Sequence, residues 1–345
     1  MKIRLDASLL GSEALELENN LHKKIVGQDK ALHEVTKLYQ TYILGMSTPG
    51  KPVCSLLFLG PTGIGKTYTV ECLAECLVGK PEAVIKIDCA ELQHSHEIAK
   101  LVGSPPGYLG HRETHPMLSQ AKLNMWQTEK VKLNFVLFDE IEKASDSLWN
   151  LLLGILDKAT LTLGDNTTVD FSKSMIFMTS NLGSMDMQTI LNQGMGFQTH
   201  QAEDIISKES TKKKMESEGL RAARNKFTPE FINRLDKIIS FQPLGNIELR
   251  EIVELELYRV KERVTASMKE KVFSLHFDKA VVDYLLNTDN DIRYGARQIK
   301  RTIETKIIGP ITNIMASNQV ETFQTLSVYV EDETLAFYKE VEFAA

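Results

Sequence analysis

Gly60-Pro61-Thr62-Gly63-Ile64-Gly65-Lys66-Thr67 fits the pattern G-x-x-x-x-G-K-[ST] at every fixed position. Directly before it, Val53-Cys54-Ser55-Leu56-Leu57-Phe58-Leu59 has the length and apolar composition of a buried strand. After it, residues 68–77 are compatible with a helix. In that strand–loop–helix setting the glycines let backbone N–H groups turn inward onto phosphate oxygens, and the helix N-terminus adds the positive end of its dipole. Lys66 is then placed to reach the β- and γ-phosphates of a nucleotide, and the Thr67 hydroxyl to bind Mg²⁺. A Gly-rich turn in an ordinary α/β domain is the competing reading, and the flanking strand weighs against it.

Working outward, strand candidates fall at 83–88, 135–139, 174–179 and 237–241, with helical patterns between them at 117–128 and 146–156. A further helix, opened by Ile25-Val26-Gly27-Gln28-Asp29, runs to about residue 42. Alternating strands and helices predict an α/β fold with a doubly wound parallel sheet. Residues 183–219 break the alternation; they are polar, include Lys212-Lys213-Lys214, and are expected to contain a mobile loop with the lysines on a solvated face. After Pro243 the pattern becomes helix 247–268, strand 272–277, helices 279–286 and 296–316, and strands 325–330 and 334–341. The expected organisation is a short N-terminal segment (1–20), a large α/β domain (21–242) and a smaller α+β C-terminal domain (243–345).

The chain has 345 residues, 43% hydrophobic and 25% charged, which suits a globular protein with a sizeable core. A net charge of −6 argues against nucleic acid or an anionic membrane as the main partner. No apolar stretch approaches the roughly 20 residues of a membrane span, and the N-terminus lacks an apolar signal core. Cys54, Cys72, Cys76 and Cys89 have no zinc-ligand spacing and read as buried thiols in a reducing cytoplasm. His94, His96, His111 and His115 read as solvent-facing loop residues.

Phosphate binding alone fits kinases, GTPases and binding proteins alike. Hydrolysis needs more, and Phe135-Val136-Leu137-Phe138-Asp139-Glu140 supplies it: an apolar strand ending in two acids, at the sheet edge where open α/β folds bind ligands. Asp139 is the candidate for the Mg²⁺ shell. Glu140 points differently because strand side chains alternate, and is the candidate to orient the attacking water. Asn181, ending the strand at Met178-Thr179-Ser180, is placed to bond the water or the γ-phosphate.

Here the chain resembles the Clp family of AAA+ protein unfoldases, most closely the second ATPase module of ClpA, ClpB and ClpC. The matching segments, in family order, include Val26-Gly27-Gln28, Gly60 to Thr67, Gly103-Ser104-Pro105-Pro106-Gly107-Tyr108-Leu109-Gly110, Asp139-Glu140-Ile141-Glu142-Lys143-Ala144, Thr179-Ser180-Asn181-Leu182-Gly183, Phe227 through Asp236, and Tyr294-Gly295-Ala296-Arg297. The resemblance covers about residues 20–330. It implies that Ile25 and Val26 pack on the adenine, that Arg234 is an arginine finger reaching a neighbouring subunit's γ-phosphate, and that Arg297 is a second sensor in the small domain. It also implies a homohexameric ring that threads protein substrates. Gly107-Tyr108-Leu109-Gly110 would be the pore loop, its tyrosine offering apolar contact at low entropic cost. Residues 161–171, with a Gly164-Asp165 turn, would form a hairpin bearing a second pore loop.

Two departures stand out. Residues 111–116 lack the Gly-rich acidic sequence usual after the pore loop, and the chain shows no first ATPase module. Met195-Gly196-Phe197 lies where protease-linked members carry a tripeptide that docks in ClpP, which leaves a ClpP-like peptidase or an adaptor open as partners. The expected activity is ATP hydrolysis coupled to protein unfolding. The alternatives are a non-threading switch acting on one dedicated partner, a nucleic-acid motor, and a small-molecule P-loop kinase.

Overall fold

The computed structural model describes residue 6 and residues 9–104, 116–184, 187, 201–267, 273–288, 295–321 and 324–340, without the side chains of 201–210 and 212. These residues divide into two compact units, 1–61 with 65–242, and 62–64 with 243–345.

The first unit is built on a five-stranded sheet. Its strands are β1 (Cys54–Leu59), β2 (Val84–Asp88), β3 (Asn134–Asp139), β6 (Ser174–Ser180) and β7 (Lys237–Ser240), in the order β2-β3-β6-β1-β7. Every pairing is parallel. The three inner strands are buried along almost their whole length, as near-continuous apolar runs must be when helices cover both faces. Register then decides the site. Leu59 lies opposite Ser180, Phe138 opposite Met178 and Asp88 opposite Asp139, so the chain leaves β1, β3 and β6 along one edge.

Helices α1 (Ser12–His22) and α2 (Asp29–Ile43) pack together through Ala14, Leu17 and Leu21 against a face that includes Ala31, Leu32 and Val35. The N-terminal segment thus holds a helix that its mixed composition did not reveal. Helix α3 (Lys66–Val78) follows the glycine-rich loop, and α4 (Asp146–Lys158) follows the acidic strand end. Strands β4 (Thr160–Thr162) and β5 (Thr168–Asp170) pair antiparallel, which is the expected hairpin.

One expectation for this unit needs correction. The helix expected over 117–128 is only Gln120–Asn124. The Asn124 side-chain oxygen accepts from both Gln120 and Gln127, and Thr128 closes a turn with Val131, so polar side chains and turn geometry replace the helical ladder. Within the polar 183–219 segment, where a mobile loop is expected, residues 185, 186 and 188–200 lie outside the described residues and 201–219 are helical: α5 spans Gln201–Lys226, a stretch without proline and rich in Lys, Glu and Ala. Lys213 and Lys214 are exposed on it. Its Gly219 allows close approach, since a Cβ on Gly183 would meet the Gly219 Cα at 3.1 Å. That approach seats the chain just after Asn181 on α5.

The second unit comprises α6 (Asn246–Ser267), β8 (Ser274–Phe277), α7 (Lys279–Thr288), α8 (Gly295–Ile303), α9 (Gly309–Ala316), β9 (Thr325–Glu331) and β10 (Thr334–Glu340). Strand β9 is central, parallel to β8 and antiparallel to β10. The single helix expected over 296–316 is broken by a π-turn at Glu304–Ile308. Pro310 lacks an N–H and its ring crowds the preceding turn, so the helical ladder slips there.

Candidate nucleotide site

The glycine-rich loop joins β1 to α3 with three residues at positive φ: Gly60 (141°), Gly63 (77°) and Gly65 (98°). A Cβ is disfavoured at such angles, which accounts for the glycines of the motif. Lys66, 7% exposed, donates to the carbonyls of Gly60 and Pro61, each at 2.6 Å, and to Asn181 Oδ1 at 2.9 Å. A buried ammonium needs such partners.

Asn181 is the hub of the site. Its Nδ2 donates to Glu140 Oε1 at 3.2 Å, and its backbone N–H donates to Glu142 Oε1 at 3.1 Å. One amide therefore stands between the lysine that would hold phosphate and the carboxylate that would orient water. Glu140 sits at φ 54°, a left-handed conformation that turns its side chain out of the strand direction. Its second oxygen pairs with Lys143. That pairing raises the pKa of the exposed Lys143 ammonium.

Thr67 Oγ1 donates to the Asp139 carboxylate at 3.2 and 3.3 Å. The Thr179 hydroxyl also donates to Asp139, and accepts from the Glu140 N–H at 3.1 Å. Nearby, burial first and then the charge of Asp139, Asp88, Glu142 and Glu140 push the Cys89 thiol far above the ordinary thiol range. This is a concentration of negative charge suited to a cation. The Thr67 and Asp139 oxygens are hard donors of the kind Mg²⁺ takes.

The structure thus brings Lys66, Thr67, Asp139, Glu140 and Asn181 together at one sheet edge. Ile25, 5% exposed, and Val26 lie in the link between α1 and α2. There Gln28 exchanges side-chain hydrogen bonds with the backbone of Gln242 at 2.9 and 3.0 Å, pinning the link beside the end of β7. Arg234 lies apart from this constellation and is paired with Asp157 and Glu230. Arg297 is exposed near the start of α8. In that unit the Ala296 N–H donates to the Gly63 carbonyl at 3.0 Å, and a Cβ on Gly295 would come within 2.8 Å of the same oxygen.

Gly107-Tyr108-Leu109-Gly110 and Met195-Gly196-Phe197 lie outside the described residues, as do His111 and His115. His94 and His96 are exposed with stacked rings 5.7 Å apart. Among the described residues no His, Cys, Asp and Glu group has a metal-binding arrangement of three or more. Sequence reasoning missed Thr179, Glu142 and Lys143 as partners of the site. All three stand inside stretches singled out for their neighbours, but only the folded register shows which side chains they meet.

These features define a P-loop ATPase module of the AAA+ class. Residues 51–238 match the family model of the AAA domain (Cdc48 subfamily), and residues 244–328 match the C-terminal, D2-small domain of ClpB protein. The chain belongs to the Clp family of AAA+ proteins. It is 35% identical over 334 residues to chaperone protein ClpB of Bdellovibrio bacteriovorus, covering 96% of this chain and 36% of that protein. It is also 35% identical to the mitochondrial ClpB3 of Oryza sativa, covering 93% of this chain and 31% of that protein. A closed-state cryo-EM reconstruction of Hsp104 with ATPγS and FITC casein superposes with a TM-score of 0.75 at 27% identity, over 96% of this chain and 53% of that one. The chain spans about a third of the length of the curated relatives it matches.

Proposed function

We propose that this chain is an ATP-hydrolysing motor module that unfolds or remodels protein substrates. The observation that carries the reading is the Lys66–Asn181–Glu140 chain of hydrogen bonds beside the Thr67–Asp139 pair. In this reading the loop from Gly60 to Thr67 cradles the phosphates, with Lys66 neutralising the β- and γ-oxygens. Thr67 and Asp139 would hold Mg²⁺, which when bound neutralises charge on those phosphates. Glu140 orients and polarises water, and Asn181 keeps that carboxylate in register with Lys66. Ile25 and Val26 pack on the adenine. Arg297 senses the phosphate from the small domain, and Arg234 completes the site of a neighbouring copy in a homohexamer.

The polypeptide-gripping role falls to Gly107-Tyr108-Leu109-Gly110. The relatives above are named chaperones, which favours a chaperone over the ATPase half of a protease. Docking of a ClpP-like peptidase through Met195-Gly196-Phe197 is the secondary reading. A reducing compartment such as the cytoplasm suits the free cysteines among the described residues. No described helix is long and apolar enough to cross a membrane.

The test is ATP-dependent loss of fluorescence from a tagged fluorescent protein. Wild type should unfold it, and Glu140→Gln should bind ATP, assemble and fail to turn over. Tyr108→Ala should hydrolyse ATP without unfolding. Unfolding by Tyr108→Ala would favour the non-threading switch, and normal turnover by Glu140→Gln would remove Glu140 from the mechanism.

A further inference from the structure

Asp157 is the penultimate residue of α4, at the negative end of that helix's dipole, where a carboxylate is unfavourable. A cation compensates it. Arg234 Nε lies 2.6 Å from Asp157 Oδ2, while Nη2 lies 3.0 Å from Glu230 Oε1 and Nη1 donates to the Glu230 carbonyl at 3.1 Å. Arg234 Nε is buried without a hydrogen-bond partner, so the link to Asp157 is a close ion pair, and the arginine side chain is 24% exposed.

The helix that carries Asp157 runs straight into the β4–β5 hairpin. Ala159 ends the helix at φ 48°, its N–H donating to Ile155 and its carbonyl accepting from Phe171 at 2.7 Å, which closes the hairpin base. At the turn, Gly164 donates to the Val102 carbonyl at 2.8 Å. On β5 the Asp170 N–H donates to Gln120 Oε1 at 2.8 Å. Val102 and Gln120 flank, in sequence, the stretch that carries Gly107 to Gly110.

We propose that Asp157 is a positioning residue that ties Arg234 to the β4–β5 hairpin, so that engagement of Arg234 by a neighbour's nucleotide is transmitted to the substrate-handling edge. The inference rests on the reading of Arg234 as the residue that completes a neighbour's site. Contiguity by itself does not demonstrate coupling, so the measurement is a double-mutant cycle.

Steady-state ATP turnover of the whole chain is measured with and without reduced carboxymethylated lactalbumin, a permanently unfolded polypeptide. Arg234→Ala should lower kcat at least about tenfold. Asp157→Asn should lower kcat several-fold, leave KM for ATP within about twofold, and lose the response of turnover to polypeptide. In the Arg234→Ala background Asp157→Asn should add nothing, and Asp157→Glu should recover part of the response. Melting temperatures alongside show that each variant is folded. A normal polypeptide response in Asp157→Asn, additive losses in the double variant, or a wild type indifferent to polypeptide overturns the coupling. Full turnover in Arg234→Ala instead overturns the reading of Arg234, and the coupling with it.

Discussion

Asn181 Nδ2 lies 3.2 Å from Glu140 Oε1, and the same amide accepts from Lys66 through its oxygen at 2.9 Å. Both ends of the amide are used, so its orientation is specified. Asn181→Ala should therefore remove a donor from Glu140 and an acceptor from Lys66 at once. Turnover of ATP should fall at least about tenfold, equivalent to about 1.4 kcal/mol, with KM changed less. Steady-state kinetics checks this, and unchanged kcat would show that Glu140 is oriented by other partners.

Thr179 is 1% exposed, and its hydroxyl both donates to Asp139 and accepts from the Glu140 N–H. Thr179→Val keeps the shape and deletes both bonds. It should cost about 1 kcal/mol of stability for the part-buried Glu140 N–H left without that partner. The variant should also need more Mg²⁺ for half-maximal turnover, because the Asp139 carboxylate loses a fixed neighbour. Denaturant melts and an Mg²⁺ titration are the two measurements.

Gly183 has φ 73° and faces Gly219 of α5 across a gap in which a Cβ would sit 3.1 Å from backbone. Gly183→Ala meets both a strained angle and an unyielding neighbour. A loss of about 1–3 kcal/mol is expected, with reduced turnover because Asn181 lies two residues before it. A melting temperature equal to wild type would show that the chain relaxes there without cost.

Gly164 at the hairpin turn is more tightly confined, since a Cβ would fall 2.6 Å from the Gly103 carbonyl oxygen. Gly164→Ala must push the hairpin away from residues 102–104. Unfolding of a tagged fluorescent protein should drop much further than ATP turnover, because the bonds that hold Lys66 and Glu140 run to Gly60, Pro61, Asn181 and Lys143 rather than to the hairpin. Equal losses in both assays would contradict that separation.

Burial raises the pKa of Cys54 and Cys89 far above the ordinary thiol range, and that of half-buried Cys76 less severely. A raised thiol pKa means less thiolate at neutral pH. Alkylation by iodoacetamide at pH 8 should be slow in the folded chain, with Cys76 modified first, and fast in urea. The linkage has a definite sign: the unfolded chain releases these protons from about pH 8.5 while the folded chain keeps them. Their contribution to stability is thus full below that pH and falls as pH rises above it. Mass spectrometry and alkaline melting curves test the two statements.

Much of the site was legible because its chemistry is local. Gly60 to Thr67 needs glycines where φ is positive and a lysine at the helix start, so spacing alone exposes it. The strand ends at Asp139 and Ser180 were visible for a similar reason, as apolar runs that stop at polar residues. The helix at Ser12–His22 was not visible, because an amphipathic stripe of Ala14, Leu17 and Leu21 acquires meaning only against α2. The break at Glu304–Ile308 had a local cause in Pro310, but periodicity carried the expected helix across it.

The amino-acid sequence by itself determined the nucleotide loop, the acidic strand end and the parallel α/β class, since each follows from backbone sterics and side-chain period within a few residues. Tertiary structure alone decided that Asn181 bridges Lys66 to Glu140, that Thr179 serves Asp139, and that Arg234 is held by Asp157. Those partners are 115, 41, 40 and 77 residues apart. Separations of that size are closed only when parallel register and helix packing place strand ends and helix termini side by side, and no local pattern encodes which side chains then meet.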